Sequence, residues 1–242
     1  MGSPTQWVKS FLNLFLKSNC PLCGRPADRE LCPSCDRSLL RCQFTNPGQF
    51  WKGQLPVFVW GSYGGILKQA IAALKYENQP QLARPLGTWL AQAWMKSISP
   101  GSATRTTQEI STPHSQVKPV VVPIPLHADK RKQRGFNQAE LLAESFCQYT
   151  GLPLNRQGLE RVRATEALFG LSFTERQEML ADALSVGKSL TQKRPQRVLL
   201  LDDIYTTGTT VGEAARVLRR QGISVYGVVA IATTNKSPGS GS

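Results

Sequence analysis

The chain has 242 residues, of which 40% are apolar, 8% aromatic and 19% charged. That is enough apolar material for one ordinary core with a small appendage, and it excludes wholesale disorder. The longest apolar runs, VVVPIPL and VLLL, fall far short of the roughly 20 residues that cross a bilayer, so no transmembrane helix is expected. The net charge of +13 comes from 29 basic and 16 acidic residues, and the surplus is present both before and after residue 60. It points to polyanionic partners, either nucleic acid or phosphorylated small molecules, with a merely solubilising basic face as the plainer alternative.

At the start of the chain Trp7, Phe11, Leu14 and Phe15 recur at helical spacing, which predicts a short helix docked on the rest of the protein, with a partner or membrane contact as the alternative. The run FLNLFL is interrupted by Asn13, flanked by Lys9 and Lys17, and not followed by a small-residue cleavage site. It does not read as a secretory signal, and the cytoplasm is the expected compartment. Cys20, Cys23, Cys32 and Cys35 then form the pattern CPLC, eight residues, CPSC. Each CxxC turn lets two thiolates converge on one ion, and two turns complete the tetrahedral sulfur shell of a structural Zn²⁺. Disulfides and a redox CxxC are the alternatives; the first is disfavoured by the missing signal and the second by the absence of a surrounding βαβ pattern. Cys42 is a substitute ligand or a spare, and Cys147, in an apolar helical pattern, reads as a core residue. Residues 1–45 thus form an N-terminal helix and zinc module. Residues 46–56, with Pro47, Gly48 and Gly53, read as a linker.

From Val57 onward β-rich runs alternate with helical patterns. Strands are predicted over Val57–Ser62, Lys118–Pro125, Arg197–Ile204 and Ser224–Ala232, and helices over Ile66–Glu77, Gln81–Ser97, Asn137–Thr150 and Val211–Gln221. Continuous apolar strands such as VVV and VLLL argue for an α/β domain over 57–234, a mainly parallel sheet flanked by helices on both faces. Residues 101–116, GSATRTTQEISTPHSQ, have almost nothing to bury and are expected to be a mobile insertion. Residues 235–242 are expected to be a flexible tail.

The most informative segment is VLLLDDIYTTGTT, Val198–Thr210. A buried strand ends in two acids, and a hydroxyl-rich turn opens the next helix. Thr210 and Glu213 are spaced as a capping box, Val211, Ala214, Ala215 and Leu218 line one face, and Gly222 supplies the stop. The unpaired N–H groups and positive dipole end of such a helix favour a phosphate. Gly208 permits close backbone approach, and Thr206, Thr207, Thr209 and Thr210 can donate hydrogen bonds to it. Asp202 and Asp203 would repel a phosphate placed beside them, so vicinal ribose hydroxyls are their natural partners.

This segment resembles the signature of type I phosphoribosyltransferases, which bind 5-phosphoribosyl-1-pyrophosphate. The resemblance implies that Asp202 and Asp203 hold the ribose hydroxyls and that Thr206–Thr210 holds the 5-phosphate. VVVPIPLHADKRKQRGFNQAELLA, Val120–Ala143, preceded by YGGILKQAIAALKY from Tyr63, is similar to ComF proteins. Those combine an N-terminal zinc module with a type I phosphoribosyltransferase-like domain and are associated with DNA uptake in natural transformation. The likeness runs from the cysteines to about residue 232. It implies that Lys130, Arg131, Lys132 and Arg134, on a loop after a strand, neutralise pyrophosphate with Mg²⁺, and that Gly135 allows the turn into the next helix. The family's R-x-R-x-T-x-x-Q-x-x-L element is kept in Arg161, Arg163, Thr165 and Leu171, with Arg176 following, but Leu168 stands where Gln is usual and Met179 where Asn is usual. Arg134, Arg163 and Arg176 are the implied catalytic residues. The two lost polar groups put turnover in more doubt than ligand binding.

Three functions follow from the resemblance. One is a DNA-handling protein that engages single strands, one is an active transferase acting on a nitrogen nucleophile, and one is a nucleotide-sensing adaptor docking on a DNA-uptake helicase or channel at the inner membrane. A single strand would track either past Arg131 and Arg134 or over Arg25, Arg29, Arg37 and Arg41, with Trp51 as a candidate for stacking and Trp60 expected in the core.

Overall fold

The computed structural model describes residues 18–98, 118–162, 183–193, 195 and 197–235. The chain opens with a two-stranded antiparallel ribbon, β1 (Ser18–Asn19) and β2 (Pro26–Ala27), that brackets the first CxxC turn. Helix α1 (Pro33–Leu40) follows, with Pro33 at its first position and Cys32 as its N-cap, and it buries Cys35 and Leu39.

The segment expected to be a linker is instead laid onto the domain. Gln43 bridges to Gly61, the Val59 N–H donates to the Pro47 carbonyl at 3.0 Å, and Trp51 is 3% exposed. The reason is the indole, whose large apolar surface is best removed from water. Trp51 meets Trp94 and Tyr226 edge-on, at centroid distances of 5.2 and 5.4 Å. A Cβ at Gly227 would lie 2.4 Å from the Trp51 ring, so this glycine makes room for it.

The domain proper runs β3 (Val57–Ser62), α2 (Gly65–Tyr76), a 3₁₀ turn (Pro80–Leu82) and α3 (Ala83–Ile98), then β4 (Val120–Pro123), α4 (Ala128–Arg134) and α5 (Gln138–Thr150). A short antiparallel pair, β5 (Leu159–Arg161) and β6 (Leu184–Val186), leads to α6 (Lys188–Lys193), β7 (Arg197–Tyr205), α7 (Thr209–Arg220) and β8 (Ser224–Thr233). The four long strands form a wholly parallel sheet in the order β3-β8-β7-β4. All four predicted strands and all four predicted helices of the domain are present, with ends shifted by no more than two residues.

Successive strand residues point to opposite faces. Phe58, Trp60, Val121, Leu199, Leu201, Val229 and Ile231 join one core with α2, α3 and α5, while Val57, Val59, Val122, Val198, Leu200 and Val228 join a second core beneath α7. Burial on both faces is why these strands read as unbroken apolar runs. The first core also takes in Cys20, Leu31, Cys32, Cys35 and Leu39, so the cysteine module shares the core of the domain. Helices α3 and α5 approach closely at Gly87, where a Cβ would sit 2.6 Å from the Leu142 carbonyl oxygen.

The basic stretch expected as a loop is largely helical. His127 caps α4 by accepting from the Asp129 N–H, and Gly135 ends it at φ 82°; that left-handed conformation costs glycine nothing. The capping box does not form. Gly208, at φ 78°, is the N-cap and α7 starts at Thr209, which places Thr210 inside the first turn, and the Glu213 carboxylate pairs with Arg216 instead. Gly222, at φ 74°, follows the end of α7 as expected. The N-terminal helix expected around Trp7, the 101–116 insertion, and Arg163, Thr165, Leu168, Leu171, Arg176 and Met179 lie outside the described residues, as does the tail beyond Asn235.

Candidate functional site

The four cysteines converge. One sulfur from each of Cys20, Cys23, Cys32 and Cys35 lies within 4.8 Å of the others, and the Cys23 and Cys32 sulfurs are 3.6 Å apart. A tetrahedron with Zn–S bonds of about 2.3 Å has edges of about 3.8 Å, so the set fits a zinc ion, whereas a disulfide needs sulfurs about 2.05 Å apart. All four thiols are free. The Cys35 N–H, at the start of α1, points at the Cys32 sulfur from 3.5 Å. That bond outweighs the opposing effect of burial and brings the Cys32 thiol down to about 6, which favours the thiolate a metal requires. Cys42, the substitute candidate, instead places its sulfur 3.6 Å from the Ser38 carbonyl, and Cys147 is buried in the core as expected.

The second constellation sits at the carboxyl end of β7, where ligands of parallel α/β sheets bind. Asp203 is 4% exposed. Lys75, in the last turn of α2, donates to its Oδ1 at 2.9 Å and lies 2.8 Å from its Oδ2. Burial is the largest single effect and disfavours the Lys75 ammonium, but the charge and hydrogen bond of Asp203, with smaller contributions from Asp202 and Tyr76, together outweigh it and the Lys75 pKa is raised. Asp202 is half-buried, and its Oδ1 accepts the Asp203 N–H at 2.8 Å. Desolvation first, then the neighbouring Asp203 charge, push its carboxyl up to about 7, against the pull of Lys75 and Arg161. The acidic pair is therefore divided into one carboxylate committed to a buried cation and one held near its titration point. The turn that follows exposes Thr206 and Thr207, and the Thr207 and Thr209 hydroxyls are 2.7 Å apart. At Gly208 a Cβ would meet the Tyr205 hydroxyl at 2.6 Å.

The basic residues divide between two places. Lys130, Lys132 and Arg134 line a cavity of about 550 Å³ with Lys75, Tyr76 and Gly135, so this part of the basic helix and the lysine of the acidic pair share one opening. Arg131 faces away, with its guanidinium 3.1 Å from Glu140. Arg25, Arg29, Arg37 and Arg41 are all exposed on the cysteine module. Trp51 and Trp60 are buried, which removes the expectation that Trp51 stacks on bases and bears out the core position of Trp60.

Sequence reasoning missed one residue of this site and named a second without placing it here. Lys75 lies 128 positions from Asp203, within the quoted YGGILKQAIAALKY stretch, with no local pattern to mark it. Arg161, at the end of β5, contributes charge at Asp202, and its place in the R-x-R element was the available signal.

No helix among the described residues is long and apolar enough to cross a membrane. No family model matches the chain. Among curated proteins it is similar to Competence protein F of Haemophilus influenzae, at 29% identity over 163 residues, covering 67% of this chain and 66% of that protein. It is also similar to the DNA utilization protein YhgH of Salmonella typhimurium, at 29% identity over 217 residues, covering 90% of this chain and 85% of that protein. Competence protein ComFC of Bacillus subtilis is 26% identical over 213 residues, which cover 84% of this chain and 72% of that protein. With the four-cysteine cluster and the parallel sheet in place, this similarity over most of the chain supports a ComF family assignment.

Proposed function

We propose that this protein handles single-stranded DNA during competence and DNA utilisation, and that it binds phosphoribosyl pyrophosphate at the carboxyl end of β7. The names of its relatives support the first part. The second is carried by the division of labour in the acidic pair, with Asp203 neutralised by Lys75 and Asp202 left to meet a diol. The hydroxyl-rich turn and the N–H groups at the start of α7 would take the 5-phosphate. The cationic cavity beside α4 would take pyrophosphate, and Mg²⁺ would lower the charge of that group while Asp202 orients the ribose. The cysteine cluster would hold one structural zinc. Transferase turnover is a second reading, in which Arg134 would stabilise departing pyrophosphate together with Arg163 and Arg176.

A paired calorimetric titration tests this, with phosphoribosyl pyrophosphate plus Mg²⁺ in one arm and a 12-nucleotide thymidine oligomer in the other. Binding in both arms, with the first lost in Asp202→Asn, is the expected result. An unchanged first arm in that variant sinks the phosphate-site reading, and a silent second arm in wild type sinks DNA handling. Release of pyrophosphate on addition of candidate bases would favour the transferase.

A further inference from the structure

Two basic regions compete as the path for a single strand, and charge alone does not choose between them. Stacking does, because affinity for single strands combines backbone-tracking cations with aromatic faces. Trp51 and Trp60 are buried, whereas Tyr76, the last residue of α2, is 76% exposed. The Arg134 guanidinium sits over this ring, 5.2 Å from its centroid, and the side chain is otherwise largely open to solvent. The ring borders the cavity of about 550 Å³ that Lys130 and Lys132 also line, and no carboxylate among the described residues lines it. That volume suits a nucleotide-sized group.

The cysteine-module side lacks these features. Its cavity, about 1110 Å³, is lined by Asp28, Glu30 and Asp36 as well as Arg29 and Arg84, and Arg84 is paired with Glu30 at 2.9 Å. Its aromatic, Trp89, is stacked on Trp60 at 5.8 Å. A phosphodiester entering there meets carboxylates, whereas one entering beside α4 meets cations and an exposed aromatic ring.

We propose, building on the DNA-handling reading above, that single-stranded DNA passes over the opening between α2 and α4. Tyr76 stacks one base, and Lys130 and Lys132 contact the flanking phosphates. Lys75 is excluded from phosphate contact because Asp203 holds it. The strand and phosphoribosyl pyrophosphate then share an opening and exclude one another.

The test is fluorescence anisotropy of a labelled 12-nucleotide thymidine oligomer between 50 and 200 mM salt. Loss of one stacked base predicts between about 5-fold and 150-fold weaker binding for Tyr76→Ala, with Tyr76→Phe near wild type and the salt slope unchanged in both. Lys130→Ala with Lys132→Ala should flatten the slope by about 0.7 per lost contact, while Arg25→Ala with Arg29→Ala leaves it alone. An oligomer of abasic sites should bind wild type as weakly as the intact oligomer binds Tyr76→Ala. Wild-type affinity in Tyr76→Ala, or a slope lost through Arg25 and Arg29 instead, overturns the route while leaving DNA handling intact. Tyr76-dependent binding of thymidine triphosphate without oligomer binding would make this a free-nucleotide site and overturn the route as well. A wild-type protein that binds neither the oligomer nor the triphosphate overturns the DNA-handling reading itself.

Discussion

Removing Lys75 should be among the most costly single changes at the site. Its ammonium lies 2.8 Å from Asp203, the side chains of the pair being 15% and 5% exposed. At an effective dielectric constant of about 20 the gross attraction at that distance is roughly 6 kcal/mol. Breaking a buried pair by removing one partner typically costs about 3–5 kcal/mol, because a buried charge is left uncompensated. In a protein of this size each kcal/mol shifts Tm by about 2–4 °C, so Lys75→Met should melt roughly 6–20 °C below wild type. A second effect follows through Asp202. Its folded pKa, about 7, is raised above that of the unfolded chain. This contribution to stability is therefore complete below about pH 4 and is lost as pH rises to 7. Lys75 opposes that shift, so without it the decline should extend above pH 7 and the gap between variant and wild type should widen there. Thermal and urea unfolding from pH 5 to 9 measures both effects, with Lys75→Met, Asp203→Leu as the compensating double variant, expected to recover most of the loss. A single variant within 1 kcal/mol of wild type across the range, or a double variant no better than the single, refutes the reasoning.

The purified protein should carry one zinc per chain, and chelation should lower Tm and increase hydrogen exchange in α1 and in the face of α2 beneath it; metal analysis without stoichiometric zinc counts against this. Phosphoribosyl pyrophosphate should bind more tightly as pH rises through about 7, because its diol needs ionised Asp202, and isothermal titration from pH 6 to 8.5 should show the gain levelling off above that value. Gly208→Val should lose this binding and about 1–2 kcal/mol of stability, since a side chain at φ 78° is strained and its Cβ would meet the Tyr205 hydroxyl. Unchanged affinity in that folded variant would show that the turn does not cradle the phosphate.

What the sequence made legible was whatever repeats locally. VLLL and VVV announced strands because both faces of the sheet are buried, and Leu67, Ala70, Ile71 and Leu74 announced α2 because their spacing returns to one side. Helix α4 was hidden because none of its residues is buried, leaving no apolar face to show a period. Its helix-forming residues and the capping His127 were the weaker signals present. The Thr210–Glu213 spacing misled, because Gly208 starts the helix earlier. The composition of Pro47, Gly48 and Gly53 suggested a linker, yet Trp51 carries enough apolar surface to pin that segment to β8. Lys75 and Asp203 meet only because the parallel sheet brings α2 against the end of β7, which no local pattern encodes.

That long-range contact gives the cysteine module a role beyond its own stability. Helix α2 has 12 residues, and at 1.5 Å per residue it spans about 18 Å. One face packs against α1 and shares a core with Cys35 and Leu39, while Lys75 in its last turn holds Asp203 and Tyr76 ends it at the cationic opening. A bound zinc would fix α1, α1 would fix the apolar face of α2, and α2 would set the position of both residues. A metal held at Cys20, Cys23, Cys32 and Cys35 thus bears on the acidic pair without touching it, because close-packed helices shift as bodies rather than bending residue by residue. Loss of the metal is then expected to weaken ligand binding at β7 before the sheet itself unfolds, since the strands keep their ladder hydrogen bonds while α2 loses one of its supports.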